Sequence, residues 1–150
     1  MKTVFQRSSK WNVDPTQAFR RRRLLDKRIL VVEDEYLIAW EIADFLDELG
    51  CEIVGPAKNL EEAAKLAGNQ QLDGAVLDVR LRDETSEPIA QLLDRRCIPF
   101  IVVSGYRRSE IALDFWRAAY LCKPFDKLDL HLAAVAIFSR NPLSAWTPVH

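Results

Sequence analysis

Three acids, one hydroxyl and one amine stand at matching places in this 150-residue chain. Glu33 and Asp34 follow the aliphatic run Ile29, Leu30, Val31 and Val32. Asp78 follows Gly74, Ala75, Val76 and Leu77. Ser104 closes "IPFIVVS", and Lys123 closes "AYLCK". Each polar residue comes where a buried strand would end. Two like charges about 4 Å apart repel by roughly 4 kcal/mol at an effective dielectric near 20. Gathered carboxylates therefore need a counter-charge, and a hard divalent cation supplies one. Mg²⁺ takes a few carboxylate oxygens together with waters and phosphate oxygens. Glu35, the third acid of the "EDE" run, reads differently. It opens a helix, where a negative charge is favoured by the positive end of the dipole.

The elements that must position these groups alternate along the chain. "ILVV" reads as a strand. Ile38, Ile42, Phe45, Leu46 and Leu49 then recur at helical spacing, and Gly50 stops the helix. "EIVG" is a second strand. Asn59 caps a second helix, with Glu62 as its capping-box partner, and Gly68-Asn69 ends it. "GAVLD" is the third strand, and Pro88 suits the first turn of a helix over about 87–94. "IPFIVVSG" is the fourth strand, and Ser109 is placed to cap a fourth helix through Arg117. "AYLCK" is a short fifth strand. Asp126 caps a last helix, with Leu128, Leu132, Val135 and Phe138 expected on its buried face. Strands each followed by a helix indicate an α/β fold built of βαβ units around a parallel sheet. In such sheets the working site lies beyond the carboxyl ends of the strands. The three acids, Ser104 and Lys123 are all strand-end residues.

Composition fits one domain with a real core: 49% of residues are apolar. The longest apolar run, Leu132 to Phe138, is too short to span a bilayer. The N-terminus lacks the apolar stretch of a secretory signal. Cys51, Cys97 and Cys122 have no metal-binding spacing and read as reduced thiols, with Cys122 a buried space-filler. These features point to the cytoplasm. The net charge of −1 hides an asymmetry. Residues 1–28 hold nine Lys/Arg against two Asp/Glu, whereas residues 29–150 carry twelve against twenty. The chain thus divides into a basic N-terminal extension (1–28), an acidic domain (29–138) and an irregular tail (139–150). Arg20 to Arg23 read as a solvated tether, or as a segment that folds back on the acidic domain. No recognition-helix pattern, zinc spacing or aromatic RNA motif accompanies them, so nucleic acid is not expected as a partner.

The ordered set "VVEDE", "AVLDV", "VVSGY" and "YLCKPF" resembles the receiver domain of CheY-like response regulators, over residues 29 to about 138. The resemblance implies a flavodoxin-like (βα)5 fold with a five-stranded parallel sheet in the order 2-1-3-4-5 and helices on both faces. It implies a phosphorelay function, in which Asp78 accepts a phosphoryl group in a Mg²⁺-dependent reaction. The donor would be a sensor histidine kinase or a phosphotransfer protein. By the same resemblance Asp34 is a direct metal ligand, Glu33 holds a metal-bound water, and the Arg80 carbonyl completes the protein ligands with Asp78. Lys123 pairs with Asp78 and then with the phosphoryl group. Ser104 hydrogen-bonds that group, and Tyr120 turns inward when Ser104 moves. Gly105 leaves room beside the acyl phosphate, and the Lys123–Pro124 peptide is cis. Such a protein is a switch that phosphorylates and dephosphorylates itself, not a turnover enzyme.

Two departures stand out. "DVRLRDETSEP" lacks the Pro and Gly usual soon after the acceptor, and Arg80 stands where side chains gate water access. Arg80 and, across the site, Tyr106 are therefore expected to modulate phosphate lifetime. "PFIVVSGY" also resembles the "PFxFATGY" stretch of certain alphaproteobacterial single-domain regulators. With about a dozen residues after the last helix, output is expected through another protein or onward phosphotransfer. The face of the fourth helix, fifth strand and fifth helix is the expected docking surface, and two copies would pair there. The alternative is a receiver-shaped interaction module that works without phosphorylation. A phosphatase is disfavoured because the candidate nucleophile ends the third strand rather than the first. A flavin site is disfavoured because acids stand where a phosphate cradle needs donors.

Overall fold

The computed structural model describes residues 24–112, 115 and 118–139. Its main sheet has five parallel strands: β1 (Arg28–Val32), β2 (Glu52–Ala57), β3 (Gly74–Asp78), β6 (Phe100–Ser104) and β7 (Ala119–Cys122). They lie in the order β2-β1-β3-β6-β7. Counted along the main sheet alone this is 2-1-3-4-5, as the resemblance implies. A small antiparallel hairpin, β4 (Arg80–Leu81) and β5 (Glu84–Thr85), follows β3. Four α-helices complete the described fold: α1 (Tyr36–Glu48), α2 (Leu60–Asn69), α3 (Glu87–Arg95) and α4 (Lys127–Phe138).

Strand alternation sorts the core into two layers. Leu30, Val32, Ala75, Leu77, Phe100 and Val102 face α2 and α3. Ile29, Val31, Val76, Ile101 and Val103 face α1 and α4. Successive strand side chains point to opposite faces, so a strand covered on both faces has to be apolar throughout. Fully burying one such aliphatic side chain stabilises by about 1.5–3 kcal/mol. Leu24, ahead of the first strand, is fully buried in the α1/α4 layer. Gly74 is needed where α4 crosses β3, since a Cβ there would overlap the Phe138 ring.

Helix starts follow the sequence. The Asn59 side chain accepts from the Glu62 N–H at 2.8 Å, while Glu62 accepts from Lys58. Asp126 and Asp129 form a reciprocal capping box on α4.

Three local expectations are corrected. The expected helix from Ser109 to Arg117 shows, in its described part, no α-helix: a 3-10 turn covers Arg108–Glu110 with Ser109 inside it, and Phe115 is again 3-10. Glu110 accepts from the Arg107 N–H, and Ile111 is extended, which ends the turn. Leu113, Asp114, Trp116 and Arg117 lie outside the described residues. On α4 the buried face is Leu130, Ala134 and Phe138, whereas Leu128 and Leu132 are exposed and Val135 is half-buried. The helix is apolar nearly all round, so periodicity alone did not fix its orientation. Cys122 is exposed, because it ends an edge strand. The basic run Arg20–Arg23 and the tail from Arg140 lie outside the described residues.

Candidate functional site

β1 and β3 are neighbours in register, Val32 beside Leu77, so their ends deliver Glu33 and Asp78 to one edge of the sheet. Glu33 and Asp78 are buried, whereas Asp34 is half-exposed. Glu33, Asp34 and Asp78 can each offer a carboxylate oxygen within 4.8 Å of the others. One ammonium enters this group. Lys123 Nζ donates to Glu33 Oε2 at 2.8 Å and to Asp78 Oδ2 at 3.0 Å. Burial pushes the Glu33 carboxyl up to about 7, against the pull of the Lys123 hydrogen bond and with the push of the Asp78 charge. For Lys123 burial works against the charge. Its hydrogen bond to Glu33 and the charge of Asp78 outweigh that, and its pKa is raised.

Backbone groups fix the acids in place. The Glu35 N–H donates to Glu33 Oε1 at 3.1 Å. The Arg82 N–H, at the tip of the β4–β5 hairpin, donates to Asp34 Oδ2 at 3.1 Å. Arg82 has φ +60°, the left-handed region, so the tight hairpin turn is what aims this N–H at Asp34. Ser86 is fully buried, and its hydroxyl donates to the Asp78 carbonyl at 2.6 Å. Neither Arg82 nor Ser86 was singled out from the sequence. Ser86 precedes a helix, a position that reads as a cap, yet its side chain makes no cap bond.

The hydroxyl and aromatic groups lie on the neighbouring strands. Ser104 is buried at the end of β6, and its oxygen accepts from the Tyr106 N–H at 2.9 Å. The Ser104 carbonyl accepts from the Lys123 N–H at 2.7 Å, which ties β6 to β7 beside the acids. The Lys123–Pro124 peptide is cis. A Cβ added at Gly105 would meet open space. The Tyr120 hydroxyl is buried without a hydrogen-bond partner among the described residues. Burial, with Cys122 nearby, raises its pKa. Arg80 and Tyr106 point to solvent, and the Arg80 side chain makes no hydrogen bond or ion pair among the described residues. The structure thus brings Glu33, Asp34, Asp78 and Lys123 into one cluster. It places Ser104 on the adjoining strand end and Tyr120, its hydroxyl buried, on the strand beyond, and leaves Arg80 and Tyr106 exposed.

A five-stranded parallel sheet in this order, with acids and a lysine at its carboxyl edge, has the architecture of a receiver domain. Residues 29–135 match the family model of the response regulator receiver domain, and the chain belongs to that family. It is 34% identical over 118 residues to the transcriptional regulatory protein PdtaR of Mycobacterium tuberculosis, covering 76% of this chain and 58% of PdtaR. The chain therefore spans little more than half the length of that relative. The solution structure of SdrG from Sphingomonas melonis is similar at 36% identity and a TM-score of 0.64, over 74% of this chain and 97% of SdrG. A response regulator from Burkholderia pseudomallei, solved with a phosphorylated aspartic acid, a calcium ion and citrate, is 27% identical with a TM-score of 0.64. That match covers 74% of this chain and 69% of that one. Among the described residues no helix is long and apolar enough to cross a membrane.

Proposed function

We propose that this chain is a phosphoacceptor switch of a two-component phosphorelay, with Asp78 as the acceptor. The observation that carries the reading is the shared ammonium: Lys123 bridges Glu33 and Asp78 while a third carboxylate, Asp34, stands beside them at the rim. In the reaction an Asp78 carboxylate oxygen forms a bond to phosphorus. The bond from phosphorus to the donor nitrogen breaks, and its electron pair leaves with the imidazole of a histidine kinase or phosphotransfer protein. Hydrolysis later returns the phosphoryl group to water and restores the carboxylate.

The donor set fits a hard cation, since it is all oxygen and each of its three carboxylates offers an oxygen within 4.8 Å of the others. Asp34 and Asp78 would hold Mg²⁺ directly, with the Arg80 carbonyl, while Glu33 would hold one of its waters. Mg²⁺ supplies charge neutralisation for phosphoryl oxygens approaching a carboxylate. The chain's own groups do the rest. Lys123 holds Asp78 in place and then neutralises the phosphoryl group. The Ser104 oxygen accepts from Tyr106, which leaves its O–H to donate to a phosphoryl oxygen. The partnerless Tyr120 hydroxyl is the two-state element, able to gain a partner when Ser104 shifts. Arg80 and Tyr106 at the rim modulate how long the acyl phosphate lasts.

Output then passes to another protein or onward by phosphotransfer, in the cytoplasm. The surface around β7 and α4 receives the partner or a second copy, and Leu128 and Leu132 are exposed on it. The division into an extension (1–28), a receiver (29–138) and a tail (139–150) belongs to the same reading. The deciding experiment is incubation with acetyl phosphate and Mg²⁺, followed by intact mass. One phosphoryl group per chain is expected, none with Asp78→Asn and none with chelator. Absence of labelling in the wild type would favour an interaction module that works without phosphorylation.

A further inference from the structure

The outward face of α1 is divided into two chemistries. Its first turns expose Tyr36, Leu37 and Trp40, at 76%, 78% and 64% of their free surface. Glu41, Asp44 and Asp47 are exposed below them. At 3.6 residues per turn these six positions fall within an arc of roughly 140°, one continuous stripe. The three acids make no ion pair among the described residues. They are spaced three apart, where like charges destabilise a helix, and no basic residue stands in its last turn. Nothing on α1 itself relieves this layout.

The chain enters the fold at the acidic end of that stripe. Leu24 is buried in the same core cluster as Ile42, Leu46 and Leu49, and the Asp26 N–H donates to the Gly50 carbonyl just past the helix. The residues immediately before Leu24 are Arg20, Arg21, Arg22 and Arg23. Asp47 and Asp44 lie one and two turns up the helix from Gly50. An extended chain covers about 3.3 Å per residue and α1 is about 20 Å long, so six or seven residues reach its far end. Laid back along α1, an extended chain would bring the arginines level with Asp44 and Glu41. Phe19, five residues before Leu24, would then come level with Leu37 and Tyr36. The order of chemistries along the extension mirrors the order up the helix: basic beside acidic, aromatic beside aromatic.

We propose that the N-terminal extension, residues 1–23, docks along α1 in this register and covers the Tyr36–Leu37–Trp40 patch. The first turn of α1 begins two residues past Asp34. On the function proposed above, the docked extension would end beside the acid cluster.

The test needs no phosphorylation, so it fails or succeeds independently of that function. A nitroxide is placed in the full chain at Gln17→Cys, with exposed Cys97 and Cys122 replaced by Ser. Amide line-broadening is then mapped by ¹⁵N spectra. Broadening concentrated on the first turns of α1, over Tyr36–Glu41, is expected. It should be lost when Arg20–Arg23 are changed to Glu, or to Gln as a milder variant. It should return when the Glu variant is combined with E41K, D44K and D47K. Broadening that is weak, spread evenly over the fold, or indifferent to the charge changes would overturn the proposal. So would broadening that appears only between a labelled and an unlabelled chain in a mixed sample, which would make the occupant a second copy.

Discussion

Lys123 donates to Glu33 over 2.8 Å, across 90 residues of sequence, and this contact is no longer than the one it makes with Asp78. Two buried acids thus share one cation. Removing a partner from a buried ionic cluster leaves charge uncompensated and costs about 3–5 kcal/mol. Lys123→Met is expected to lower stability to urea by about 3 kcal/mol. Glu33→Gln in the same background should cost little further, because without Lys123 the Glu33 carboxyl, already raised to about 7, takes up a proton. A double-mutant cycle checks the coupling, and purely additive effects would contradict the shared-cation geometry.

Asp34 has a different standing. It is half-exposed and held by the Arg82 N–H rather than by Lys123. Asp34→Asn keeps an oxygen for that bond and removes the charge. Without divalent cation its stability should stay within about 1 kcal/mol of wild type. A ligand that binds the folded state stabilises by RT ln(1 + [L]/Kd). Melting across a Mg²⁺ titration should therefore show a wild-type gain that Asp34→Asn reaches only at ten-fold or more higher Mg²⁺.

Arg80 is exposed, two residues beyond Asp78, at the start of the hairpin. With no partner among the described residues, its guanidinium is free to meet a phosphoryl group. Arg80→Ala should shorten the acyl-phosphate lifetime several-fold, read by loss of label after the donor is removed. Equal lifetimes would remove Arg80 from the site.

The cysteines give a pH-dependent prediction away from the acids. Burial pushes the Cys51 thiol from 9.0 up to about 12, with Asp47 adding to the effect. Cys97 and Cys122 are exposed. Alkylation of native protein at pH 8–9 should modify those two and spare Cys51 until the chain unfolds. Because the thiolate is disfavoured only in the folded state, Cys51 costs nothing below pH 9. Its cost appears as pH rises from 9 toward 12, where unfolded chains lose the proton first. Cys51→Ala should flatten that part of the stability profile.

Much of the fold was legible because β1, β3 and β6 are buried on both faces and so are written as unbroken aliphatic runs. The acids and the lysine were legible because each closes such a run. What escaped was decided by tertiary contact. The orientation of α4 depends on Phe138 packing over Gly74, which no periodicity encodes. Ser86 and Arg82 act through a hydroxyl on a carbonyl and through a main-chain N–H, and the Arg82 contribution carries no side-chain signature. Cys122 was misread because exposure at the end of an edge strand is a property of the sheet, not of the residue.

Leu24 and Phe138 fill the same layer of the interior, yet both fall outside residues 29–135, the stretch that matches the family. A receiver excised at those limits would lose two plugs from one side of its interior. Any attempt to study the receiver domain in isolation has to begin at or before Leu24 and run past Phe138.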